Sequence, residues 1–119
     1  MSGKIVHFDI SGPDEQALGT FYRDTFGWRI QHHPDMEYSL VTTADGALGG
    51  GIGRAATATP PIVYIEVDRI EDALATIAAK GGAKVSDPVS IPGMVRFATF
   101  TDPAGNVMGL VEAEVPPAK

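Results

Sequence analysis

Four polar side chains, at matching places in two similar segments, are the residues of this chain best suited to chemistry. His7 and Asp9 lie in a strand-like segment near the N-terminus, and Tyr64 and Glu66 occupy the same places in a second segment 57 residues further on. Because successive side chains of a strand point to opposite faces, each segment would pack one apolar face and present its polar pair on the other. An imidazole, a phenol and two carboxylates can transfer protons or bind a small polar ligand.

Length and composition restrict the function classes that these residues could serve. The chain has 119 residues, a formal net charge of −6 and no cysteine. It therefore fits one domain, lacks the basic stripe expected of a nucleic-acid-binding protein, and has neither a disulfide framework nor a thiolate metal site. Neither a signal peptide nor a stretch long and apolar enough to cross a membrane is evident, which predicts no membrane partner and a cytoplasmic location.

The repeated segment belongs to a larger internal repeat, and each half of the chain reads as strand, helix, strand, strand, strand. We predict a single domain over 1–119 with a first module at about 4–54, a linker at 55–61 and a second module at about 62–112. The strands of the first module are predicted at 4–10, 28–32, 37–43 and 47–54, and those of the second at 62–67, 83–87, 94–101 and 107–112.

The helix signals are specific enough to test. The segment 11–14 (Ser-Gly-Pro-Asp) is typical of a helix start, and Gly27 of a helix end. Asp68 and Glu71 have capping-box spacing at the start of the second helix. Pro88 and the pair Pro92-Gly93 predict a loop before the last hairpin.

The pattern predicts an α+β fold in which the helices cover one sheet face, because each half supplies a single helix. The opposite, polar face must then be solvated, covered by a partner or filled by a ligand. Glycines in the segment 48–53 (Leu-Gly-Gly-Gly-Ile-Gly) weaken that strand but allow sharp bending and a close approach of backbone or ligand.

The chain resembles the vicinal oxygen chelate superfamily, which contains glyoxalase I, bleomycin-resistance proteins and extradiol dioxygenases. The best local matches are the segments 21–28 (Phe-Tyr-Arg-Asp-Thr-Phe-Gly-Trp) and 100–106 (Phe-Thr-Asp-Pro-Ala-Gly-Asn), and the second is the more specific. The resemblance implies two βαβββ modules whose mixed sheet curls into a cup around a small-molecule pocket, with the helices on the outer face. It also implies a homodimer.

The resemblance further implies four metal-ligand positions, which typically hold His, Glu, His and Glu. In this sequence they correspond to His7, Gly50, Tyr64 and Gly109, with an uncertainty of one residue at Gly50. A divalent catalytic metal generally needs about three protein ligands. We therefore predict no metal and no other cofactor, and a metal-depleted member of the family.

Other residues are weaker candidates for the ligand site. Tyr38 and Arg96 would line the cup if their strands place them on the polar face, which the sequence does not decide. Arg54 ends the glycine-rich strand and could meet an anionic group, although a solvated arginine is the simpler interpretation. His32 and His33 are adjacent and would point to opposite faces of a strand, so they cannot chelate together.

Three functions remain open from the sequence. The first is a metal-independent protein that binds an aromatic metabolite or drug in a dimeric cup, with ligand contacts from His7, Asp9, Tyr38, Gly50, Arg54, Tyr64, Glu66, Arg96 and Gly109. The second is a glyoxalase-like lyase, isomerase or oxygenase-related enzyme, in which His7 is the general base and Tyr64 or Glu66 steers the proton. The third is a dimerisation or scaffold module.

Overall fold

Residues 3–91 and 95–113 are described by a computed structural model of the chain. The protein is α+β, and its described residues fall into two compact units. The N-terminal unit comprises residues 6–63, and the C-terminal unit comprises residues 64–91 and 95–113 together with 3–5. Each unit places one helix against a mixed sheet, as the paired strand and helix patterns predict.

The N-terminal unit is a four-stranded sheet with one helix. Its elements, in chain order, are β1 (Ile5–Gly12), α1 (Glu15–Phe26), β2 (Arg29–His33), a 3₁₀ turn (Pro34–Met36), β3 (Tyr38–Thr42) and β4 (Gly49–Arg54). The strands lie in the order β2-β3-β4-β1, with β1 parallel to β4 and the other pairs antiparallel. The strand next to β1 is therefore the glycine-rich β4.

The C-terminal unit repeats this order with one additional short strand. Its elements are β5 (Ile62–Glu66), α2 (Ile70–Ala79), β6 (Ala83–Lys84), β7 (Val89–Ile91), β8 (Val95–Thr101) and β9 (Val107–Ala113). β5 is parallel to β9, β9 is antiparallel to β8, and β6 and β7 both pair with β8.

The loop predicted before the last hairpin is partly wrong. The expected strand at 83–87 ends at Lys84, and β7 begins at Val89, after a bend at Ser86 that is followed by Pro88. Because proline has no N–H to donate to a sheet, Pro88 interrupts the pairing, and the chain along this edge of β8 forms two short strands, β6 and β7. The pair Pro92-Gly93, and the predicted strand start at Met94, lie outside the described residues.

The first helix begins later than the predicted start signal. Ser11 and Gly12 extend β1, and Asp14 is the N-cap, where its Oδ1 accepts a hydrogen bond of 3.0 Å from the N–H of Ala17. Gly27 ends the helix in the left-handed conformation, with φ of 75°, as its position predicts.

The capping box predicted for the second helix is wrong. The residue at the N-cap position of α2 is Arg69, and its side chain makes no capping bond. Instead, Glu112 of β9 accepts a hydrogen bond from the N–H of Ile70 at 2.5 Å. A carboxylate distant in sequence thus satisfies a helix-end donor that a local residue usually satisfies.

The apolar core is most extensive in the C-terminal unit. Buried side chains cluster between α2 and the sheet: Val67, Ile70, Ala73, Ala98, Phe100 and Leu110. In the N-terminal unit, Val41 and Ile52 are the buried large aliphatic side chains among the described residues. Neither described helix is long and apolar enough to cross a membrane.

Candidate functional site

His7, Asp9 and Tyr38 form one hydrogen-bonded group in the N-terminal unit. The Nε2 atom of His7 lies 3.1 Å from Oδ1 of Asp9 and 2.9 Å from the hydroxyl of Tyr38. The Tyr38 hydroxyl donates to the same Asp9 oxygen at 2.5 Å. Both His7 and Asp9 keep about a third of their side-chain surface exposed, at 31% and 28%. The sequence indicated His7 and Asp9 and left the side of Tyr38 undecided, and the structure brings all three together.

A glycine makes this group possible. Tyr38 lies on β3 and Asp9 on β1, so the Tyr38 side chain must cross β4, which runs between them. A Cβ atom placed on Gly51 would lie 1.6 Å from the Tyr38 hydroxyl oxygen, and one on Gly53 would lie 3.2 Å from the ring. The ring therefore lies directly above the backbone of Gly51, and any larger residue there would displace it.

The contacts of His7 are satisfied together when its proton is on Nε2. A carboxylate only accepts, and Tyr38 uses its single hydroxyl proton for Asp9. Nε2 of His7 therefore donates to the Tyr38 oxygen and to Asp9. In the neutral ring, the basic lone pair lies on Nδ1. Acid–base chemistry by neutral His7 would use Nδ1.

We call the sheet side that bears this group the His7 face. It is the side of the N-terminal sheet opposite α1, and the alternation of β4 places Gly49, Gly51 and Gly53 on it. Leu40 shares this side and is 37% exposed. The face therefore combines one aromatic ring, which lies over the glycine backbone of β4, with one polar group, an arrangement that suits a flat ligand with a polar substituent.

A related arrangement occurs in the C-terminal unit. Tyr64 is paired with Gly109, and a Cβ atom on Gly109 would lie 2.2 Å from the Tyr64 ring. The ring also meets Phe97 edge to face, at a centroid distance of 6.5 Å. Glu66 lies 3.8 Å from the Nζ atom of Lys4. That Tyr64 and Glu66 meet the same ligand as His7 and Asp9 stays a prediction.

Two of the remaining candidates are placed away from the His7 face or at its end. Gly50 is paired with Phe8, and a Cβ atom there would lie 2.6 Å from the Phe8 ring, so Gly50 faces the helix side. The residue opposite His7 is Gly49 by extension of the same register. Arg54 ends β4, where its Nε atom lies 3.7 Å from Glu37.

Arg96 lies on the helix side of β8 and ties α2 to the sheet. Its guanidinium bonds Glu71 of α2 at 2.7 Å and Glu112 of β9 at 3.1 Å. The hydrogen bond from Arg96 lowers the pKa of Glu71 to about 2, and the bonds to both carboxylates raise the pKa of Arg96. These contacts give Arg96 a structural role on the helix side of the sheet, and not the ligand-binding role considered from the sequence.

The residues at the family's metal-ligand positions do not fit a divalent ion. Glycines have no side-chain donor, and the Nε2 atom of His7 already donates its proton to Asp9 and Tyr38. Among the described residues, no cluster of three or more His, Asp or Glu side chains is arranged to hold a metal. One imidazole is too few for an ion that generally needs about three protein ligands.

Sequence reasoning missed a second polar cluster, on the helix side of the N-terminal unit. His32 and His33 do point to opposite faces of β2, opposite Ser39 and Tyr38 respectively. His32, however, contacts the buried carboxylate of Glu15, which was not among the predicted site residues. The signal that could have found it is the coincidence of an acid in the first helical turn with a histidine on the adjacent strand.

Comparison with known proteins supports one family over nearly the whole chain. The model of the Glyoxalase/Bleomycin resistance protein/Dioxygenase superfamily matches residues 4–110. The anthracycline biosynthesis protein DnrV from Streptomyces peucetius is 28% identical over 122 residues, which cover 87% of this chain and 44% of DnrV. A glyoxylase-like domain-containing protein from Didymella fabae is also 28% identical, over 89% of this chain and 91% of that protein. This chain thus spans about half the length of DnrV.

Solved structures agree on the fold. Methylmalonyl-CoA epimerase from Mycobacterium tuberculosis superimposes with a TM-score of 0.68 at 14% identity, over 95% of this chain and 89% of the epimerase. At this identity the likeness concerns the fold alone. Together with the family match and the two helix-and-sheet units, it identifies this chain as a member of the glyoxalase/bleomycin resistance protein/dioxygenase superfamily.

Proposed function

We propose that this chain is a metal-independent small-molecule-binding protein that holds an aromatic metabolite or drug, and that it acts as a cytoplasmic homodimer. The observation that carries the proposal is the His7–Asp9–Tyr38 group, whose tyrosine ring lies over the glycines of β4. In this proposal the ligand's ring lies on the His7 face and its polar substituent bonds the three side chains.

The shape of the His7 face favours a flat ligand. The Tyr38 ring covers Gly51 and part of Gly53, so these glycines let the ring lie against the sheet. Aromatic rings stack on such a ring in offset geometry, which contributes about 0.5–1.5 kcal/mol beyond the area buried. The net charge of −6 favours cationic ligands over anionic ones.

The relatives support the ligand class without establishing it. DnrV is named for anthracycline biosynthesis, and anthracyclines are polycyclic aromatic compounds. Its similarity to this chain covers less than half of DnrV, so its activity does not transfer directly. Metal independence is supported by the donor chemistry at the ligand positions, where two of the four residues are glycines.

A binding titration tests the proposal. We expect an anthracycline aglycone, or a simpler planar quinone, to give a saturable binding isotherm in titration calorimetry. Tyr38→Phe removes the hydroxyl but keeps the ring, and should weaken binding by roughly 10-fold or more, because hydrogen bonds to charged groups contribute about 1.5–3 kcal/mol. The matched control is Tyr22→Phe, on α1, where the ring stacks on Trp28.

The outcome of the two variants separates binding on the His7 face from binding elsewhere. Equal affinities in Tyr38→Phe and Tyr22→Phe would place any bound aromatic away from the His7 face. Affinities no better than millimolar for both the anthracycline aglycone and the quinone would contradict the proposed binding function. Added zinc or manganese should leave the affinity unchanged, and a metal-dependent increase would contradict metal independence.

A second candidate function is a glyoxalase-like enzyme in which His7 transfers a proton with help from Tyr64 or Glu66. One observation favours it: His7 contacts a carboxylate and a phenol, and these contacts orient its ring. We expect His7→Ala to abolish turnover in a chelator-treated sample, with His33→Ala as the control. Unchanged turnover in His7→Ala would exclude this mechanism.

A further inference from the structure

The helix side of the N-terminal unit contains a carboxylate that is almost fully buried. Glu15 of α1 is 6% exposed and Ser39 of β3 is 1% exposed. One Glu15 oxygen lies 3.2 Å from Nδ1 of His32, and the other accepts a hydrogen bond from Ser39 Oγ at 3.0 Å. Burying a carboxylate without partners would be costly, so these two bonds hold α1, β2 and β3 in one arrangement.

Glu15 also determines the state of the His32 ring. An ionised carboxylate has no proton to donate, so Nδ1 of His32 carries the hydrogen of that contact. In the neutral ring, Nε2 is then an acceptor, and it lies 3.1 Å from the amide nitrogen of Gln16. When a carboxylate accepts a hydrogen bond from one imidazole nitrogen, it fixes the orientation of the ring and leaves the lone pair on the other nitrogen. In many binding sites that second nitrogen contacts the ligand.

The Nε2 side of His32 faces a cleft. The cleft has a volume of about 160 Å³, and the residues that line it include Gln16, Gly19, Thr20, Arg23, Ile30 and His32. A water molecule takes about 30 Å³ of liquid, so the cleft has room for a molecule of only a few heavy atoms. Gly19 lines the cleft where α1 packs closely on β2, because a Cβ atom there would lie 3.1 Å from Ile30 Cγ2.

We propose that this cleft is a second ligand site, which takes a small 2-hydroxy acid. The carboxylate of the ligand pairs with the guanidinium of Arg23, and its hydroxyl donates to Nε2 of His32 in place of the Gln16 amide. Because these residues lie on the side of the sheet opposite the His7 face, the inference does not depend on the proposed function.

The chemistry of the lining selects this class. Nε2 of His32 accepts from the exposed Gln16 amide, and a ligand hydroxyl can take the place of that donor whereas a plain carboxylate cannot. The Nε atom of Arg23 donates a hydrogen bond to Asp24 at 3.2 Å. The two terminal amino groups of a guanidinium can bind a carboxylate with two parallel hydrogen bonds. Glycolate, the smallest 2-hydroxy acid, carries both groups on adjacent carbons.

The test compares two probes that differ by one hydroxyl. Glycolate and acetate are titrated into the full chain, with the ring nitrogens of the histidines followed by NMR. We expect glycolate to shift the His32 Nε2 resonance on binding, and to bind about 5-fold more tightly than acetate, because its hydroxyl replaces the exposed Gln16 contact with a hydrogen bond inside the cleft that is stronger by ~1 kcal/mol. Equal affinities for the two probes would overturn the proposal, as would glycolate that does not saturate.

Two matched arginine variants locate the anion. Arg23→Gln should weaken both probes by about 10-fold, because it removes a charge-assisted contact. Arg29→Gln removes the same charge from β2 on the opposite face, where Arg29 pairs with Asp45, and should change neither affinity. Equal losses in the two variants would show that only net charge matters, and would also overturn the proposal.

A third comparison tests His32 and the space beside it. His32→Gln should bind acetate normally but lose the preference for glycolate, and circular dichroism checks that the variant folds. If it does not fold, Gly19→Ala leaves Glu15 and His32 in place and narrows the cleft, so it should weaken glycolate binding. A preference for glycolate that survives in folded His32→Gln, or undiminished binding in Gly19→Ala, would refute the site.

Discussion

Tyr38 reaches His7 and Asp9 only because the residue beneath it has no side chain. Its hydroxyl oxygen would lie 1.6 Å from a Cβ atom on Gly51, which is closer than two non-bonded atoms can approach. The group of His7, Asp9 and Tyr38 therefore also depends on a fourth residue, Gly51, because only a residue without a side chain leaves room for the tyrosine ring. Glycine at such a position is selected for a close approach rather than for backbone freedom.

Substitution of Gly51 by alanine should separate Tyr38 from its partners. The methyl group would force the ring off β4, break the bonds to His7 and Asp9, and destabilise the fold by about 1–3 kcal/mol as an overpacked site. The control is Gly53→Ala, where the nearest ring atom lies 3.2 Å away and needs to move only slightly. Chemical denaturation gives the stability, and the His7 ring resonances report whether the contact survives.

An undisturbed His7 resonance in Gly51→Ala would show that the Tyr38 ring does not lie where the structure places it. The same result in both variants, with equal loss of stability, would mean that β4 responds to any added methyl group. We expect a clear difference between the two, because an added Cβ atom would lie 1.6 Å from Tyr38 at Gly51 but 3.2 Å from it at Gly53.

The sequence could identify His7 and Asp9 but not the side of Tyr38. Segment 37–43 mixes polar and apolar side chains on both faces: Ser39 and Val41 are buried, and Leu40 is exposed. Periodicity cannot assign a face when an apolar residue lies outside and a hydroxyl lies inside. The alternating glycines at 49, 51 and 53 were the missing signal, since they mark a strand face that another side chain can occupy.

At the scale of elements, Glu112 connects the last strand to the second helix. It accepts from the N–H of Ile70 and from Arg96, so one carboxylate satisfies a helix-end donor and an arginine of β8. The local capping signal of Asp68 and Glu71 was misleading for a physical reason. Glu71 is bonded to Arg96 and does not cap the helix, and the N–H of Ile70 is satisfied by Glu112 from the sheet.

Removal of Glu112 should destabilise the start of α2. Glu112→Ala leaves the Ile70 N–H and Arg96 without this partner, and we expect a loss of about 1–2 kcal/mol, the usual range for a helix cap. Glu112→Gln keeps an oxygen acceptor and should lose less. Thermal denaturation measures both, with hydrogen exchange of the first turn of α2 as the local readout. Equal losses in the two variants would show that the charge alone matters.

The ion pair between α2 and β8 should shape stability in acid. The Arg96 bond lowers the pKa of Glu71 to about 2 in the folded chain, from an ordinary value of 4.5. A depressed carboxyl pKa contributes stability that is complete above the ordinary value and is lost as the pH falls towards the folded one. The contribution of Glu71 should therefore disappear between about pH 4.5 and pH 2.

Glu71→Gln should make the decline of stability over that pH range less steep, measured by denaturation at a series of pH values. Asp72→Asn is the control, because Asp72 lies in the same helical turn and pairs with Arg69 at 3.4 Å on the surface. Both variants remove one negative charge from the positive end of α2, so that effect cancels. Identical slopes for the two variants would contradict a special role for the Arg96 bond.

Across the whole molecule, the repeat was the most predictable feature of the chain. Matching strands, helix stripes and a hairpin glycine at 46 and 105 indicated two similar units, and both glycines have positive φ. The details that failed depend on contacts between residues distant in sequence, such as the Glu112 cap and the pairing of Val89 with β8. A local pattern cannot contain such contacts, because they exist only after the sheet has formed.

The two units differ in their buried cores, which predicts a difference in local stability. The C-terminal unit buries six clustered apolar side chains around α2, whereas the buried large aliphatic side chains described in the N-terminal unit are Val41 and Ile52. Regions with fewer buried apolar contacts open at lower free energy. Native-state hydrogen exchange should therefore show the slowest amides in β8 and β9, and faster exchange in β3 and β4.

Two matched core variants test this difference. Ile52 and Ile70 are both fully buried, and each change to valine should cost about 0.5–1.5 kcal/mol. If opening of β3 and β4 is a local event, Ile52→Val should accelerate exchange there and leave the ordering of rates intact. Ile70→Val should accelerate the slowest amides of β8 and β9. Uniform rates across all strands would show that the chain opens as one cooperative body, and that its unequal cores do not set local stability.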